Sequence, residues 1–161
     1  MNTNRFPAPR SIVLTSVLLL TTIVSVGCAG RVSLLPNSDP TLRQTPAQFA
    51  AEAAKRSYPV DLPDGGVAEG RAQVAYDGNY IQILNLTNED WTDVEVWVNR
   101  KYVVAVPRIE AGQKRVKSLT FMMLYDDQGN PFPSDNRKRM IDSLEIVKDG
   151  HRYSVPLKLA D

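Results

Sequence analysis

The chain has 161 residues, of which 43% are hydrophobic and 23% are charged, with 19 basic and 18 acidic side chains. Nucleic-acid-binding proteins usually carry a clear basic excess, so this near-neutral balance argues against a nucleic acid as partner. The length left after an N-terminal signal fits one domain.

The first 27 residues have the three parts of a bacterial export signal. Arg5 and Arg10 form a cationic start, an apolar stretch follows from Ile12 to Val26, and small residues come next. The apolar stretch is shorter than the roughly 20 residues that span a bilayer. We therefore expect residues 1–27 to be a cleaved signal peptide, with an uncleaved anchor as the alternative.

Cys28 is the only cysteine and follows Ser25-Val26-Gly27 directly. This arrangement resembles the lipobox of bacterial lipoproteins, although the family usually has an aliphatic residue at the place of Ser25. The resemblance implies cleavage before Cys28 and attachment of diacylglycerol to its sulfur, with acyl chains such as palmitate. It places the protein in the cell envelope, lipid-anchored on the periplasmic side. The alternative is a chance cysteine at the end of a signal.

The residue after Cys28 indicates to which membrane the lipidated protein would be sorted. In bacterial lipoproteins an aspartate after the lipidated cysteine often signals retention at the inner membrane, and this chain has Ala29. The resemblance therefore favours the outer membrane.

Residues 28–69 form a predicted linker that contains one short helix. Five prolines interrupt any regular pattern in this region. Within it, Thr45 is a good N-cap, Pro46 suits the first helical position and Gln48 completes a capping box, so we expect a helix over about residues 46–57. Phe49 would dock this helix on the following domain or offer it to a partner.

From residue 70 to 161 the pattern alternates with the period of β-strands. Turn-forming groups such as Asp77-Gly78-Asn79 separate the strands. The pattern predicts an all-β domain, a small antiparallel β-sandwich. The predicted strands are 71–76, 80–86, 93–98, 102–106, 115–124, 143–147 and 152–159.

The last two of these strands form the clearest hairpin. Asp149-Gly150 is a two-residue loop typical of a type I′ turn, whose twist matches that of the flanking strands. Pro156 cannot donate a backbone hydrogen bond, so we expect its strand at a sheet edge.

The hairpin around Trp97 has apolar side chains on both of its faces. Val94, Val96 and Val98 alternate with polar residues and Trp97, whereas 102–106 is apolar throughout. One interpretation is that the N-terminal helix or a loop covers the second face. The other is an exposed aromatic platform for a protein or polysaccharide, with Trp97, Tyr102 and Val104 as the candidate binding surface.

Residues that could carry catalysis or hold a metal are sparse. His151 is the only histidine and lies beside a tight turn, away from any nucleophile motif. Asp126, Asp127, Asp135 and Asp142 lie in or near loops, but their spacing does not match an EF-hand. We therefore expect no catalytic residue, metal or cofactor.

Several segments of the folded part resemble FxLYD-type and other immunoglobulin-like domains of bacterial envelope proteins. The resemblance rests on residues 83–87, on 93–96 with its Val-x-Val pattern, and on 121–126 followed by Gly129. It implies an immunoglobulin-like sandwich and no enzyme activity. The expected function is that of a non-enzymatic envelope lipoprotein that binds a protein or polysaccharide. The alternative is a small periplasmic hydrolase or ligand carrier with a pocket in the sandwich.

Overall fold

The described part of the chain contains nine strands and one α-helix. The computed structural model describes Asp39, residues 42–133, Asp135 and residues 140–159. The predictions for the signal peptide 1–27 and for Cys28 lie outside these residues. The elements are α1 (Pro46–Ala53), β1 (Asp64–Val67), β2 (Gly70–Ala75), β3 (Tyr80–Asn85), β4 (Trp91–Val98), β5 (Tyr102–Ile109), β6 (Val116–Thr120), a 3₁₀ helix (Phe121–Met123), β7 (Leu144–Lys148), β8 (His151–Ser154) and β9 (Leu157–Leu159).

The strands form two sheets, which confirms the predicted all-β sandwich. One sheet has the order β1-β8-β7-β4-β5 and the other β6-β3-β2-β9. Most neighbours are antiparallel, but β1 pairs with β8 and β2 pairs with β9 in parallel. The reason is that β1–β2 and β8–β9 run side by side in one direction and both pass from the five-stranded to the four-stranded sheet.

The alternation read from the sequence decides which side chains fill the space between the sheets. Val94, Val96 and Val98 of β4 are buried, as are Ile81 and Ile83 of β3, and all belong to one hydrophobic cluster. Burial of such a side chain contributes about 1.5–3 kcal/mol. The core therefore lies between the two sheets.

The predicted helix begins as expected and ends earlier. The Thr45 hydroxyl accepts the Gln48 N–H and the Gln48 side chain accepts the Thr45 N–H, which is the capping box. The helix ends at Ala53 instead of residue 57. After Ala53 the chain makes tighter i to i−3 hydrogen bonds, from Lys55 to Glu52 and from Arg56 to Ala53. Pro59 then disfavours helical geometry at Tyr58.

Residues 42–63, which we call the strap, pack on the sandwich. Leu42, Phe49 and Ala53 are buried members of the core cluster, and Tyr58 packs against it. The strap then continues directly into β1. Residues 42–69 therefore pack as part of the folded domain, which the sequence predicted to begin at residue 70. The remainder of the predicted linker 28–69, apart from Asp39, lies outside the described residues.

The hairpin at the C-terminal end has the predicted turn. Asp149 and Gly150 have φ values of 51° and 73°, and Lys148 pairs with His151 across them. The following strand is divided: β8 ends before Pro156 and β9 lies at an edge of the other sheet. No described helix has the length and apolarity required to cross a membrane.

Candidate functional site

The predicted aromatic platform is covered. Trp97 is only 1% exposed and Val104 only 2%, while Tyr102 is half-buried. Val104 faces the interior beside its partner Val96, and Trp97 lies under the strap, where its ring meets that of Tyr58 edge to face at 5.5 Å. An exposed binding surface of Trp97, Tyr102 and Val104 is thus not formed, and the alternative interpretation, a covering helix and loop, is correct.

Tyr58 fixes the strap to the sheet through a buried carboxylate. Its hydroxyl donates to Glu145, which is 6% exposed, and accepts from Arg152 at 2.8 Å. Arg100 donates to the other Glu145 oxygen at 3.0 Å, from a backbone with φ of 55°. Burial, and next the hydrogen bond to Glu145, raise the pKa of Tyr58.

A second contact between strap and sheet involves Glu95. The Arg56 guanidinium donates to one Glu95 oxygen at 3.1 Å, and the Trp97 indole N–H donates to the other at 3.0 Å. Trp97 therefore has its polar atom satisfied as well as its ring buried. We call Arg56 and Tyr58, with Glu95 and Glu145, the clasp.

An open concave surface lies instead where β6 ends. We call it the aromatic groove; it has a volume of about 670 Å³ and is mostly apolar. Its size falls within the roughly 300–1,000 Å³ of ligand pockets. The lining residues are Pro46, Gly78, Asn79, Thr120, Phe121, Met122, Tyr125, Pro131, Phe132 and Pro133.

Aromatic rings in edge-to-face and tilted contact form the wall of the groove. The ring centroid of Phe132 lies 5.2 Å from that of Phe121 and 5.0 Å from that of Tyr102, which it meets edge to face. The ring centroid of Phe121 lies 6.0 Å from that of Tyr76. Of the predicted surface residues, Tyr102 is therefore connected to the groove, since it supports Phe132. Met122 is 55% exposed at the rim.

The loop that carries one side of the groove is held by Asp126. This buried carboxylate accepts backbone N–H groups of Gln128 and Asn130 and the Asn130 amide, and Lys101 lies 3.7 Å away. Burial is the largest single influence and opposes ionisation. The hydrogen bonds and Lys101 together outweigh it, so that the pKa of Asp126 falls below 3.8.

One polar atom in the groove lacks a partner. The Thr120 hydroxyl is buried and has no hydrogen bond within the described structure. A buried hydroxyl left unpaired costs about 1–3 kcal/mol. The groove can thus accept an apolar group and offer this hydroxyl to a polar atom of whatever enters.

His151 and Asp142 both lie in hydrogen-bonded turns or loops. His151 Nδ1 lies 2.9 Å from the Asp149 carbonyl oxygen, and the backbone N–H of Asp142 donates to Asn99. Over the ranges that the structure covers, no three side chains of the metal-binding types come together.

Comparison with known protein families, with curated protein sequences and with solved structures finds no match to this chain. The groove was not predicted. Its only signal in the sequence is Pro131-Phe132-Pro133 following the Asp126–Asn130 turn, and that signal does not show that Phe121 closes the other side.

Proposed function

We propose that this chain is a lipid-anchored protein of the bacterial cell envelope, non-enzymatic, which binds a partner through the aromatic groove. The partner at the groove is a segment of an envelope protein with apolar or proline side chains. The observation that carries this is the groove itself, a concave surface of rings and prolines with a buried hydroxyl. Aromatic-lined grooves suit proline-containing extended segments, which lose little entropy on binding.

The lipid anchor is supported by the order of charge, apolar stretch and Cys28 in the sequence. Two acyl chains are generally needed for stable membrane residence. Metabolic labelling with a fatty-acid probe should label the wild-type chain and leave Cys28→Ser unlabelled, with release of the variant from membranes. Fractionation should find the wild type in the outer membrane, in keeping with Ala29. Equal label on both chains would contradict the anchor.

The groove can be tested with a photoreactive amino acid at position 122, on its rim. We expect a discrete adduct with an envelope protein, which Phe121→Ser in the same chain abolishes. The same photoreactive group at the exposed position Gln113 serves as the control. Adducts of equal yield and pattern at both positions would contradict a groove partner.

A small-ligand carrier is the second candidate function, favoured by the volume of the groove. A ligand that binds only the folded state raises its apparent stability. Thermal-shift measurements with small apolar amides and esters, on wild type and Met122→Asp, separate this candidate from the first. A shift in the wild type alone supports a carrier, and no shift with any of them argues against it.

A further inference from the structure

The edge of the four-stranded sheet at β9 has an open side with a concave surface next to it. We infer that this edge binds an extended segment of a partner protein as an added antiparallel strand. The segment has apolar side chains turned inward, an acidic residue opposite Lys158 and a basic residue near Asp77 and Asp142. The described residues that line this concave surface differ from those that line the aromatic groove, so the inference goes beyond the function proposed above.

The outer side of β9 has backbone groups available for pairing. β9 is the last strand of its sheet, and among the described strands only β2 pairs with it. The Ala72 N–H donates to the Pro156 carbonyl oxygen at 2.8 Å, and along a parallel ladder alternate residues bond to the same neighbour. Lys158 therefore directs its N–H and carbonyl group toward β2, whereas Leu157 and Leu159 direct theirs away from it. An added strand can pair with these outward groups, and antiparallel pairing is the more stable mode.

Leu159 is on the inner face of the sheet and is nevertheless exposed. Its partner in the register of β2 and β9 is Val74, which is 2% exposed, so both side chains lie on the side of the core. Leu159 itself is 68% exposed. The two side chains differ because no described strand continues the sheet beyond β9. A strand added there would place every second side chain beside Leu159, on the inner face.

A mostly apolar cleft of about 510 Å³ gives space for those inward side chains. β2 and β9 form one side of this cleft, and residues 140–142, which lead to β7 of the other sheet, form the second side. The Ile141 N–H donates to the Tyr76 hydroxyl at 2.9 Å, which connects the two sides. Met140 is exposed at the rim. The cleft therefore lies where the edges of the two sheets leave the core accessible.

The charged groups around the cleft determine which residues the partner strand should carry. Lys158 points to the outer face, because Leu157 and Leu159 on either side of it point inward, and an acidic residue directly opposite Lys158 would pair with it. Asp77, in the turn after β2, and Asp142 line the cleft, and neither carboxylate pairs with another described residue. A basic residue two positions before the one opposite Leu159 would face these carboxylates. The charges of the site thus complement a strand with one acidic and one basic residue.

A second copy of this chain fits the edge less well. The register that pairs all three residues of β9 with a second β9 is antiparallel and centred on Lys158. The two Lys158 residues would form a non-hydrogen-bonded pair with Cα atoms about 4.5 Å apart, and like charges directly opposite are destabilising. Lysine on an edge strand commonly prevents such self-pairing. The occupant is therefore a segment of a different protein.

A fluorescein-labelled peptide, Ser-Lys-Thr-Val-Glu-Val-Thr, tests the inference by fluorescence anisotropy with the complete chain in detergent micelles. Its two valines would lie opposite Leu159 and Leu157, and its glutamate opposite Lys158. We expect saturable binding. N-methylation of both valines should abolish it, because their N–H groups would donate to β9. N-methylation of the glutamate and of the threonine before the first valine should leave binding unchanged, because those N–H groups point away from β9.

Variants of the edge strand separate specific pairing from adsorption. Leu159→Asp places a charge on the inner face and should weaken binding at least about tenfold, and Lys158→Glu should do the same through like-charge repulsion. Replacing the glutamate of the peptide by lysine should restore binding to Lys158→Glu. The matched control is Val116→Asp, since Val116 is an exposed apolar residue on β6 at the opposite edge of the same sheet. It should bind as the wild type does, and thermal midpoints of all variants report folding.

Several outcomes would overturn the inference. They are the absence of binding, equal binding of the valine-methylated peptide, and an equal loss of binding in Val116→Asp. A dimer in analytical ultracentrifugation that Leu159→Asp dissociates would also overturn it, because a second copy would then occupy the edge. Met122→Asp, at the rim of the aromatic groove, should keep peptide binding, and Leu159→Asp should keep the adduct at position 122. Failure of this site and failure of the groove are therefore distinguishable.

Discussion

Tyr58 connects the strap to the sheet through one hydroxyl that serves two partners. Tyr58→Phe keeps the ring against Trp97 but leaves Glu145 without one donor. We expect a loss of about 1–3 kcal/mol in the free energy of unfolding, because a buried carboxylate loses a hydrogen bond. Urea denaturation measures it. Tyr153→Phe is the control, since the hydroxyl of Tyr153 makes no hydrogen bond in the described residues, and an equal loss there would contradict the role of Tyr58.

The same hydroxyl predicts how stability depends on alkaline pH. Its pKa is raised in the folded state above the ordinary value of 10.0. The neutral form therefore stabilises the fold fully below pH 10, and this contribution is lost as the pH rises through the folded-state pKa. Urea midpoints from pH 8 upward should fall less steeply for Tyr58→Phe than for the wild type. Burial also raises the pKa of Tyr125, so part of the fall should remain.

Asp126 stabilises the loop of the groove in its ionised form. Asp126→Asn removes the charge near Lys101 and an acceptor for Asn130. We expect a loss of about 1–3 kcal/mol at neutral pH. In the wild type this contribution is present above pH 3.8 and is lost as the pH falls through the lowered pKa of Asp126. On acidification the free energy of unfolding should therefore fall less for the variant than for the wild type. Asp127→Asn, exposed in the same loop, should behave as the wild type at both pH values.

At the scale of elements, the capping box decides whether α1 forms. Thr45→Ala removes the side chain that accepts the Gln48 N–H, and we expect a loss of about 1 kcal/mol in unfolding free energy. Circular dichroism with urea denaturation measures it. Thr45→Asn should leave the free energy of unfolding close to that of the wild type, because asparagine is at least as good an N-cap as threonine. Equal losses in both variants would show that the cap does not limit the helix.

The strands that follow a local pattern are those that the sequence predicts. Alternation locates β2 to β4, β7 and β8 to within a few residues, and a continuous apolar run locates β5. The Asp149-Gly150 pair predicts its own turn. The Gly-rich β1 has no alternation to read, since its pairing with β8 comes from tertiary structure. Residues 115–124 contain a continuous apolar end, so the sequence alone does not show where β6 stops and the 3₁₀ helix begins.

The candidate site was less predictable because it depends on distant segments. The pattern around Trp97 correctly required a cover, yet nothing local indicates that Tyr58 and Arg56, some forty residues earlier, supply it. The groove likewise needs Pro46, Phe121 and Phe132 from three separate parts of the chain. Such contacts are decided by the fold and not by sequence spacing.

At the scale of the whole molecule, the strap is a required part of the domain. A chain that begins at residue 64 would expose Trp97 and Val103 and leave Glu145 and Glu95 without their partners from the strap. We expect it to be poorly soluble or unfolded, because an apolar face with unpaired carboxylates is left open. A chain that begins at residue 39 should fold like the complete one. Light scattering and circular dichroism compare the two, and a soluble, folded chain from residue 64 would contradict this role.

The path of the strap also determines how the domain would respond to mechanical force. Under the proposed anchor, tension from the membrane meets side-chain contacts first, beginning with the ion pair of Asp39 with Lys117. The buried side chains of Leu42 and Phe49 and then the clasp follow along the chain. These contacts would break one after another along the chain. The backbone hydrogen bonds between β1 and β8 would carry the load only after the strap has detached. Fully extended, the 22 residues of the strap would span about 75 Å, and the gain in reach is that length less the distance that the folded strap already spans. The strap would thus detach and extend by a limited length under force before the sandwich itself unfolds.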